Sequence, residues 1–471
     1  MTQGLTEETI FALASGKGRA GVAVVRVSGP ACVAVSLALT GQSVPVARTA
    51  VVRRLHDPDD ASPAGLIDQA LILWMPGPDS FTGEDVLELH IHGGTSVLEA
   101  LLNSLSKIDG CRHAEPGEFT RRAFEHGKMD LTEAEGLNDL ILAETISQRQ
   151  QSLQQMQGSL SRLYDGWRRR LIEIVAHVEI GIDFSDEDVP DDLLDEARGK
   201  TADVSREIDS HLRDASRGQL IREGFSIAIV GHPNVGKSSL LNALAQDDVA
   251  IVSHVEGTTR DSLSIRMDLG GFAVTIYDTA GIRVTEDDVE REGVRRARAR
   301  AENANLRLYI YDASQPASLD LNEVEKMSLS ANEGQLGGVG KGFEATLLIA
   351  NKADLLCAAL RGDDGSALPY RRLYVSARSG EGLAELKTEL TQVVAEALAS
   401  SDAPALTRAR HRSALEDCRE SLVRFETSTA TDPALLAEDL RMAVRALGRI
   451  TGRVDVEDML DVVFSQFCIG K

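Results

Sequence analysis

The sequence lacks the features of several protein classes. Its five cysteines are odd in number, lie far apart and form no C-x-x-C pair, which argues against a disulfide framework and a zinc site. No apolar run approaches the ~20 residues that a membrane span needs. Residues 1–10 are polar and acidic rather than basic and then apolar, as a secretory signal would be. We therefore expect a soluble, cytoplasmic protein that does not engage a membrane.

Positive charge is also scarce. The chain has 50 Lys and Arg residues against 73 Asp and Glu residues, and its formal net charge of −23 repels a nucleic-acid backbone at long range. This disfavours a stand-alone, non-specific RNA or DNA binder, so any contact with nucleic acid must be local or shared with a partner. With ~150 residues per domain as a guide, a chain of 471 residues is expected to hold several domains.

Changes in the residue pattern divide the chain. Short apolar runs between Gly and Pro turns extend to about Gly127 and predict a compact α/β or α+β unit. Long amphipathic stretches follow to about Gly218, strands with glycine-rich loops begin at Phe225, and helical spacing continues beyond about Gly382. The simplest arrangement is a helical domain whose two halves flank an inserted α/β domain. The elements predicted in the first unit are strands at Val22 to Val27, Gln69 to Met75 and Asp85 to His92 and a helix at Thr95 to Leu105.

A phosphate-binding loop follows the strand predicted over Phe225 to Val230. Residues 231–238, GHPNVGKS, fit the pattern G-x-x-x-x-G-K-[ST], and a helix is predicted directly after them. The backbone N–H groups of such a loop and the N-terminus of the helix favour phosphate. Lys237 is expected to reach the terminal phosphates, and Ser238 is placed to bind Mg²⁺. This order of elements predicts a nucleotide site.

Two further motifs are suited to contacts with the same phosphates. GTTRD at residues 257–261 supplies Thr259 for Mg²⁺ and the γ-phosphate. The next hairpin, joined through Gly270-Gly271, leads to DTAG at residues 278–281, where Asp278 acts on Mg²⁺ and Gly281 can sense the γ-phosphate.

Two loops are suited to reading the base. NKAD at residues 351–354 and SAR at residues 376–378 each follow a short apolar run. Asp354 can accept hydrogen bonds from the N1–H and the 2-amino group of guanine, which adenine does not offer. The sequence therefore predicts a GTP-binding protein.

The residue that orients the attacking water is not apparent from the motifs. Ile282 stands where a Ras-like enzyme carries a catalytic glutamine. Nothing in the spacing alone selects one of the acidic residues downstream, and each is equally compatible with a solvated loop. These candidates are Glu286, Asp287, Asp288, Glu290 and Glu292.

The GTPase motifs, FCIGK at residues 467–471, GRAGVAVVR at residues 18–26 and PGEFT at residues 116–120 resemble the MnmE (TrmE) family of tRNA uridine-modification GTPases. The resemblance covers essentially the whole chain. It implies a multidomain fold of α/β and all-α parts. The implied domains are an N-terminal α/β domain that binds tetrahydrofolate and dimerises (1–127), a first helical part (128–220), an inserted Ras-like P-loop GTPase domain (221–385) and a second helical part with the C-terminal Cys-Ile-Gly-Lys motif (386–471).

The resemblance also implies a reaction. A potassium-activated GTP hydrolase works with MnmG, an FAD-dependent partner, on the wobble uridine at position 34 of certain tRNAs. The product carries an aminomethyl or carboxymethylaminomethyl group on C5, and a tetrahydrofolate derivative, 5-formyl- or 5,10-methylene-tetrahydrofolate, is the expected one-carbon cofactor. Members of the family form homodimers and, with MnmG, heterotetramers. K⁺ and Mg²⁺ are the expected ions.

Site residues follow from the resemblance residue by residue. Catalytic roles fall to Glu290, which would orient water, to Lys237 and to Cys468, whose chemical role is undefined. K⁺ would be held by Asn234, Ser253, Val255 and Thr258, and Mg²⁺ by Ser238 and Thr259. The folate would be held by Arg26, Glu88, Lys128 and Lys471. The nucleotide would contact Asn234, Val235, Gly236, Lys237, Ser238, Ser239, Ser253, His254, Val255, Glu256, Gly257, Thr258, Thr259, Asp278, Thr279, Ala280, Gly281, Asn351, Lys352, Ala353, Asp354, Ser376, Ala377 and Arg378.

The residues alone leave other interpretations open. Asn234 is also a common turn former, Arg26 and Glu88 could form a structural ion pair, and Lys471 could fray as a chain end. At the level of function, a regulatory protein that gates assembly of RNA particles and a dynamin-type scaffold are the alternatives. The second is weakened because the chain lacks a basic or apolar membrane-binding surface.

Overall fold

A computed structural model of the protein describes residues 8–60, 62–183, 192–246, 264–278, 304–315, 318–322, 324–325, 346–356, 370–398, 404–428, 433–454 and 457–470. Its strands are β1 Thr9–Leu13, β2 Ala20–Ser28, β3 Val51–His56, β4 Leu66–Met75, β5 Val86–Gly93, β6 Cys111–His113, β7 Phe225–Val230, β8 Ser264–Leu269, β9 Phe272–Asp278, β10 Leu306–Asp312, β11 Thr346–Asn351 and β12 Arg372–Tyr374.

The helices of the described residues follow in the same order. They are α1 Cys32–Thr40, α2 Thr95–Ser106, α3 Glu118–Glu125, α4 Leu131–Leu142, α5 Ile146–Met156, α6 Ser159–Asp183, α7 Asp192–Arg213, α8 Ala215–Glu223, α9 Lys237–Gln246, α10 Leu383–Ala397, α11 Ala409–Thr427, α12 Pro433–Thr451 and α13 Glu457–Phe464. The strands and the helix predicted in the first part of the chain are confirmed as β2, β4, β5 and α2.

The chain divides into two compact units. The N-terminal unit comprises Met1–Asn138 and Thr451–Lys471, and the central unit comprises Asp139–Ile450. This division is coarser than the four predicted domains, whose boundaries stay a prediction. It places residues 128–138 and the end of the chain, 451–471, in the N-terminal unit rather than in the two predicted helical parts.

A six-stranded sheet of order β3-β4-β5-β2-β1-β6 forms the centre of the N-terminal unit. Neighbouring strands are antiparallel except for β1 and β6. Apolar side chains of α1 and α2 pack on one face of this sheet. On the other face, Phe119 of α3 packs against Ile10 and Ala12 of β1. Antiparallel pairing with helices on the sheet is the α+β arrangement, one of the two alternatives that the sequence allowed.

The segment from α13 onward packs on α3 and α4 in the N-terminal unit. Phe464 and Phe467 belong to one apolar cluster with Leu131 and the ring of Phe124. This packing buries large side chains of α13 and of the residues after it. Each one fully removed from water contributes about 1.5–3 kcal/mol to the stability of the fold. The chain end is fixed in this way although it lies far from α3 in sequence.

The helical core of the central unit is built by α6, α7, α8, α11 and α12. In α6, Leu160, Tyr164, Trp167, Leu171 and Ile174 are buried and recur at alternating intervals of four and three residues. This interval places them on one side of the helix. Because α11 and α12 complete the same core, its two parts come from either side of residues 225–398 in sequence.

The second sheet has the order β12-β11-β10-β7-β9-β8. Only β8 and β9 pair in antiparallel fashion, as the predicted hairpin, and the other neighbours are parallel. All residues of β10 and β11 are buried. Such continuous burial is typical of parallel strands covered on both faces and explains why their sequences do not alternate.

Candidate functional site

The predicted phosphate and base motifs meet at one edge of the second sheet. β7 is parallel to β9 and β10, and β10 is parallel to β11, so their carboxyl ends share an edge. Ligands of open parallel sheets bind at this edge. The loop 231–236 follows β7, Asp278 ends β9, and Asn351 ends β11. Residues that are distant in sequence are thereby brought to one place.

Gly231 turns the chain at the end of β7. Its φ is 139°, and a Cβ atom at this position would lie 2.1 Å from the carbonyl oxygen of Ile310 on the neighbouring strand. Only glycine fits such a conformation and such a close approach. Asn234 within the loop also has a positive φ, 65°, and is exposed. The loop then leads directly into the N-terminus of α9, a favourable place for phosphate.

Lys237 and Ser238 begin α9 and face the loop and β9. Lys237 is 6% exposed, and its Nζ donates to the carbonyl oxygens of Gly231 at 2.7 Å and His232 at 2.8 Å. The Oγ atom of Ser238 donates to Oδ2 of Asp278 at 2.5 Å. A hydroxyl and a carboxylate oxygen are ligands that Mg²⁺ prefers. These two residues therefore fit the predicted ion, and Asp278 joins Ser238 as a candidate ligand.

Asn351 connects the phosphate loop to the base-reading loops. Its buried side chain donates through Nδ2 to the carbonyl oxygen of Val235 at 2.8 Å, and its Oδ1 accepts from the backbone N–H of Ala377 at 3.2 Å. Asp354 is exposed, and its Oδ1 accepts from Oγ of the buried Ser376 at 2.7 Å. This contact orients the carboxylate, whose second oxygen can accept from a guanine base. The remaining predicted nucleotide contacts among the described residues, Gly236, Ser239, Ala353 and Arg378, lie on the same loops and on α9.

A carboxylate that the sequence analysis did not select also belongs to this edge. Asp312 ends β10 and is 4% exposed. Its Oδ2 accepts from Nζ of Lys352 at 2.6 Å, and its Oδ1 accepts from the backbone N–H and Oγ of Ser314. Burial raises the pKa of Asp312, but these hydrogen bonds outweigh it and hold the pKa below its usual value. Asp312 could have been found from the sequence, because it is an acidic residue at the end of an apolar strand, as Asp278 is.

Several predicted site residues lie outside the described residues, so the structure does not place them. In the nucleotide and ion sites these are Ser253, His254, Val255, Glu256, Gly257, Thr258, Thr259, Thr279, Ala280 and Gly281. The water-orienting candidate Glu290 and the folate candidate Lys471 are the others.

The N-terminal sheet brings two of the predicted folate residues together. Arg26 of β2 and Glu88 of β5 are register partners, and Nε and Nη2 of Arg26 donate to Oε1 of Glu88 at 3.1 and 3.0 Å. Their side chains are 21% and 15% exposed. The ion pair that the sequence left open as an alternative therefore exists, and it remains accessible from solvent.

Aromatic and imidazole rings surround this ion pair, and sequence reasoning did not find them. The guanidinium carbon of Arg26 lies 5.1 Å from the ring centre of Phe81 and 5.8 Å from that of Phe119, within the range of a cation–π contact. Nε2 of His90 lies 3.4 Å from Oε2 of Glu88. Phe119 is fully buried, whereas the partly exposed ring of Phe81 offers a flat apolar face beside an acceptor and a cation, which suits a flat, polar-edged ring such as a pterin.

The other described folate and tail candidates lie around α3. Lys128 is exposed in the turn after α3, where its backbone N–H donates to the carbonyl oxygen of Ala123 at 2.8 Å. Cys468 is exposed, and its carbonyl oxygen accepts from the backbone N–H of Gly117 at 3.4 Å. A Cβ atom on Gly470 would lie 2.0 Å from the carbonyl oxygen of Leu13. The terminal motif therefore lies directly against the backbone of the N-terminal unit.

The remaining described cysteines are less exposed than Cys468. Burial raises the pKa of the Cys32 and Cys418 thiols to about 12 and that of the Cys111 thiol to about 11, and the carboxylate of Asp85 adds to the effect at Cys32. These three thiols stay protonated at neutral pH and are poor nucleophiles.

Two features are absent from the described residues. No group of three or more His, Cys, Asp or Glu side chains in the described part of the chain could hold a metal ion. Among the described helices, none is long and apolar enough to cross a membrane.

Family models match the chain over both compact units. The model of the MnmE helical domain matches residues 131–468, and that of the GTP-binding protein TrmE N-terminus matches residues 9–128. The tRNA modification GTPase MnmE of Parvibaculum lavamentivorans is 47% identical over 98% of this chain and 100% of its own length. The protein of the same description from Maricaulis maris is 50% identical over 98% of this chain and 99% of its own length.

A solved structure matches a smaller part of the chain. The G domain of the T. maritima FeoB iron transporter is 21% identical over 36% of this chain and 98% of its own, with a TM-score of 0.24, which is too low to support a structural conclusion. The sequence relatives are decisive, because they are similar along nearly the whole length of both chains. This chain belongs to the MnmE family of tRNA modification GTPases.

Proposed function

We propose that this chain is a potassium-activated GTP hydrolase that modifies C5 of the wobble uridine of certain tRNAs together with MnmG, an FAD-dependent partner. A tetrahydrofolate derivative supplies the one-carbon unit for an aminomethyl or carboxymethylaminomethyl group. Family membership supports the reaction class. One observation carries the nucleotide part of the proposal: the phosphate loop, Asp278 and the base-reading loops converge at one edge of a parallel sheet.

Recognition of guanine rests on Asp354. Ser376 donates to one carboxylate oxygen, so the other can accept from the N1–H and 2-amino groups of the base. Adenine offers neither donor in that arrangement and would leave a carboxylate without its hydrogen bonds, which costs about 1–3 kcal/mol or more for a charged group. Asn351 keeps this loop in register with the phosphate loop through its contacts to Val235 and Ala377.

Binding of the phosphates rests on the loop and the start of α9. The ammonium of Lys237, already placed over the loop carbonyls, pairs with the terminal phosphates. Ser238 and Asp278 would hold Mg²⁺, with Thr259 as a further ligand. Bound Mg²⁺ neutralises charge on the phosphate oxygens. Lys237 and the backbone N–H groups of the loop hold the nucleotide in place for attack by water.

Potassium acts next to the phosphate loop in this proposal. Asn234 is exposed within the loop, and its side-chain carbonyl is a ligand suited to a hard cation. Ser253, Val255 and Thr258 would complete the site. A monovalent cation at this place supplies positive charge that an arginine finger supplies in other GTPases. Glu290 would orient the attacking water.

The folate and the homodimer are assigned to the N-terminal unit. Glu88 is an acceptor for the donor edge of a pterin, Arg26 and Lys128 suit the carboxylates of the folate, and Lys471 would add a further cation. The dimer is supported by an exposed apolar pair, Val52 and Leu71, which are cross-strand partners and are 59% and 37% exposed. We assign this open side of the sheet to the homodimer contact.

GTP turnover in potassium and in sodium buffer tests the hydrolytic proposal. We expect potassium to accelerate turnover by the parent chain and Asn234→Ala to abolish that acceleration while GDP binding is kept. Glu290→Ala should lose turnover with binding retained. Asn103→Ala, which removes an exposed asparagine of α2, is the matched control and should behave as the parent. Equal rates of the parent in both salts would refute the potassium site.

A further inference from the structure

Asp312 lies beside the base-reading loop. It ends β10 and is the register partner of Asn351 at the end of β11, so the two residues begin adjacent loops at the same edge of the sheet. Oδ2 of Asp312 accepts from Nζ of Lys352 at 2.6 Å. This ion pair therefore connects the loop that follows Asn351 to the end of the neighbouring strand β10.

The carboxylate of Asp312 is itself held in place. Its Oδ1 accepts from the backbone N–H of Ser314 at 2.9 Å and from the Oγ of Ser314 at 2.6 Å. The backbone N–H of Asp312 donates to Oγ of Ser318 at 2.9 Å. The side chain is 6% exposed, whereas that of Lys352 is 34% exposed. A fixed, buried acceptor thus holds the end of a longer, partly solvated side chain.

Lys352 has an uncommon backbone conformation. Its φ is 63°, a left-handed conformation that is uncommon for residues other than glycine, asparagine and aspartate. The conformation costs about 1–2 kcal/mol and persists only where the surroundings stabilise it. It lies between Asn351, which contacts the phosphate loop, and Asp354, which faces the base. A change at Lys352 would therefore shift the Asp354 carboxylate relative to the phosphate loop.

We propose that Asp312 is a positioning residue for guanine recognition, acting through Lys352 on the loop that carries Asp354. This inference rests on the proposed function, which assigns residues 351–354 to the base. A structural ion pair alone would stabilise the fold without affecting the choice of base. The affinity for GDP relative to ADP separates the two roles, because the phosphate loop is common to both ligands.

The experiment measures the dissociation constants of fluorescent GDP and ADP for the full chain. We expect Asp312→Asn to weaken GDP binding by about tenfold or more, as loss of a hydrogen bond to a charged group does. ADP binding should change little. Asp268→Asn is the matched control, since Asp268 caps the β8–β9 turn by accepting from the N–H of Gly271 at 2.6 Å. This control should leave the ratio of GDP affinity to ADP affinity, called the GDP/ADP ratio below, at the parent value.

A double-mutant cycle tests whether Asp312 acts through Lys352. Lys352→Met keeps most of the apolar stem but removes the ammonium, and it should lower the GDP/ADP ratio as Asp312→Asn does. In the Lys352→Met background, Asp312→Asn should cause no further loss. Independent, additive losses would overturn the inference. If Asp312→Asn does not fold, the inference is tested with Lys352→Met alone. An unchanged GDP/ADP ratio in that variant would also overturn the inference.

Asp354→Asn separates this inference from the proposed function. If Asp354→Asn leaves the GDP/ADP ratio unchanged, the assignment of the base-reading loop fails and the inference fails with it. If Asp354→Asn lowers the ratio but Asp312→Asn and Lys352→Met do not, the base-reading loop is retained and only the positioning role is refuted. Thermal unfolding of each variant shows whether a lower affinity merely follows a loss of folded protein.

Discussion

His211 should make the helical core of the central unit sensitive to acid. Its Nε2 lies 3.1 Å from the hydroxyl oxygen of Tyr164, and its ring meets the rings of Tyr164 and Trp167 edge-on at 5.7 and 5.6 Å between ring centres. The pKa of His211 is lowered to about 4, chiefly by burial; Asp214 opposes the shift, and His411 and Arg217 add to it. The neutral imidazole is therefore the form that fits the core.

The sign and size of the effect follow from this shift. The unfolded chain takes up the proton near the ordinary pKa of 6.5, whereas the folded chain resists it down to about 4. The stabilisation is complete above the unfolded value and is lost as the pH falls through this window. At 1.36 kcal/mol per pH unit, the free energy of unfolding should fall by about 3 kcal/mol.

Trp167 provides the assay because it contacts His211. The chain has two tryptophans, so Trp74→Phe leaves Trp167 as the only indole reporter. Urea unfolding followed by its fluorescence should give a midpoint that falls between about pH 6.5 and pH 4.5. His211→Gln keeps a polar partner for Tyr164 but cannot be protonated, and it should lose most of this pH dependence.

One outcome would refute the reasoning. If the free energy of unfolding falls equally between about pH 7.5 and pH 4.5 in the Trp74→Phe chain and in the same chain with His211→Gln, His211 does not cause the effect.

Glu207 acts in a different pH range. Burial raises its pKa, but Arg170 and Trp167 outweigh this and hold it below the usual value. The stability that Glu207 contributes is therefore lost at a lower pH than the stability that His211 contributes.

Two further predictions concern the N-terminal unit. Glu88→Gln removes the charge that faces Arg26 and should weaken binding of 5-formyl-tetrahydrofolate by about tenfold or more, measured by calorimetry. Gly470→Ala places a Cβ atom 2.0 Å from the carbonyl oxygen of Leu13 at a φ of 99°. It should displace the terminal motif and speed hydrogen exchange around Cys468 by about tenfold, since the left-handed conformation costs an alanine about 1–2 kcal/mol.

Matched variants control both experiments. Glu99→Gln alters an exposed glutamate of α2 and should leave folate binding at the parent value. Gly21→Ala adds a Cβ atom with no neighbour within 4 Å and should leave exchange at the chain end unchanged. Folate binding by Glu88→Gln at the parent affinity would remove Glu88 from the site. Unchanged exchange in Gly470→Ala would show that the close contact does not hold the chain end.

The sequence by itself determined the nucleotide loops and the elements that carry them. Each such motif is local: a short apolar strand ends, a few residues face the ligand, and a helix or a further loop begins. Gly231, Lys237 and Asn351 could therefore be assigned from their immediate neighbours, and the structure places them on one edge of a parallel sheet. The likeness to one family also depended on contiguous runs of residues, which a sequence displays directly.

The tertiary structure decided which distant residues meet. Asp312 was missed because its partner Lys352 follows the next strand of the sheet, and only the parallel register of β10 and β11 brings the two residues together. The same holds for the ring of Phe81 over Arg26. The chain end packs on α3 and α4 because Phe464 and Phe467 remove apolar surface from water there. Burial and cross-strand pairing depend on the whole fold, so no local pattern could reveal these contacts.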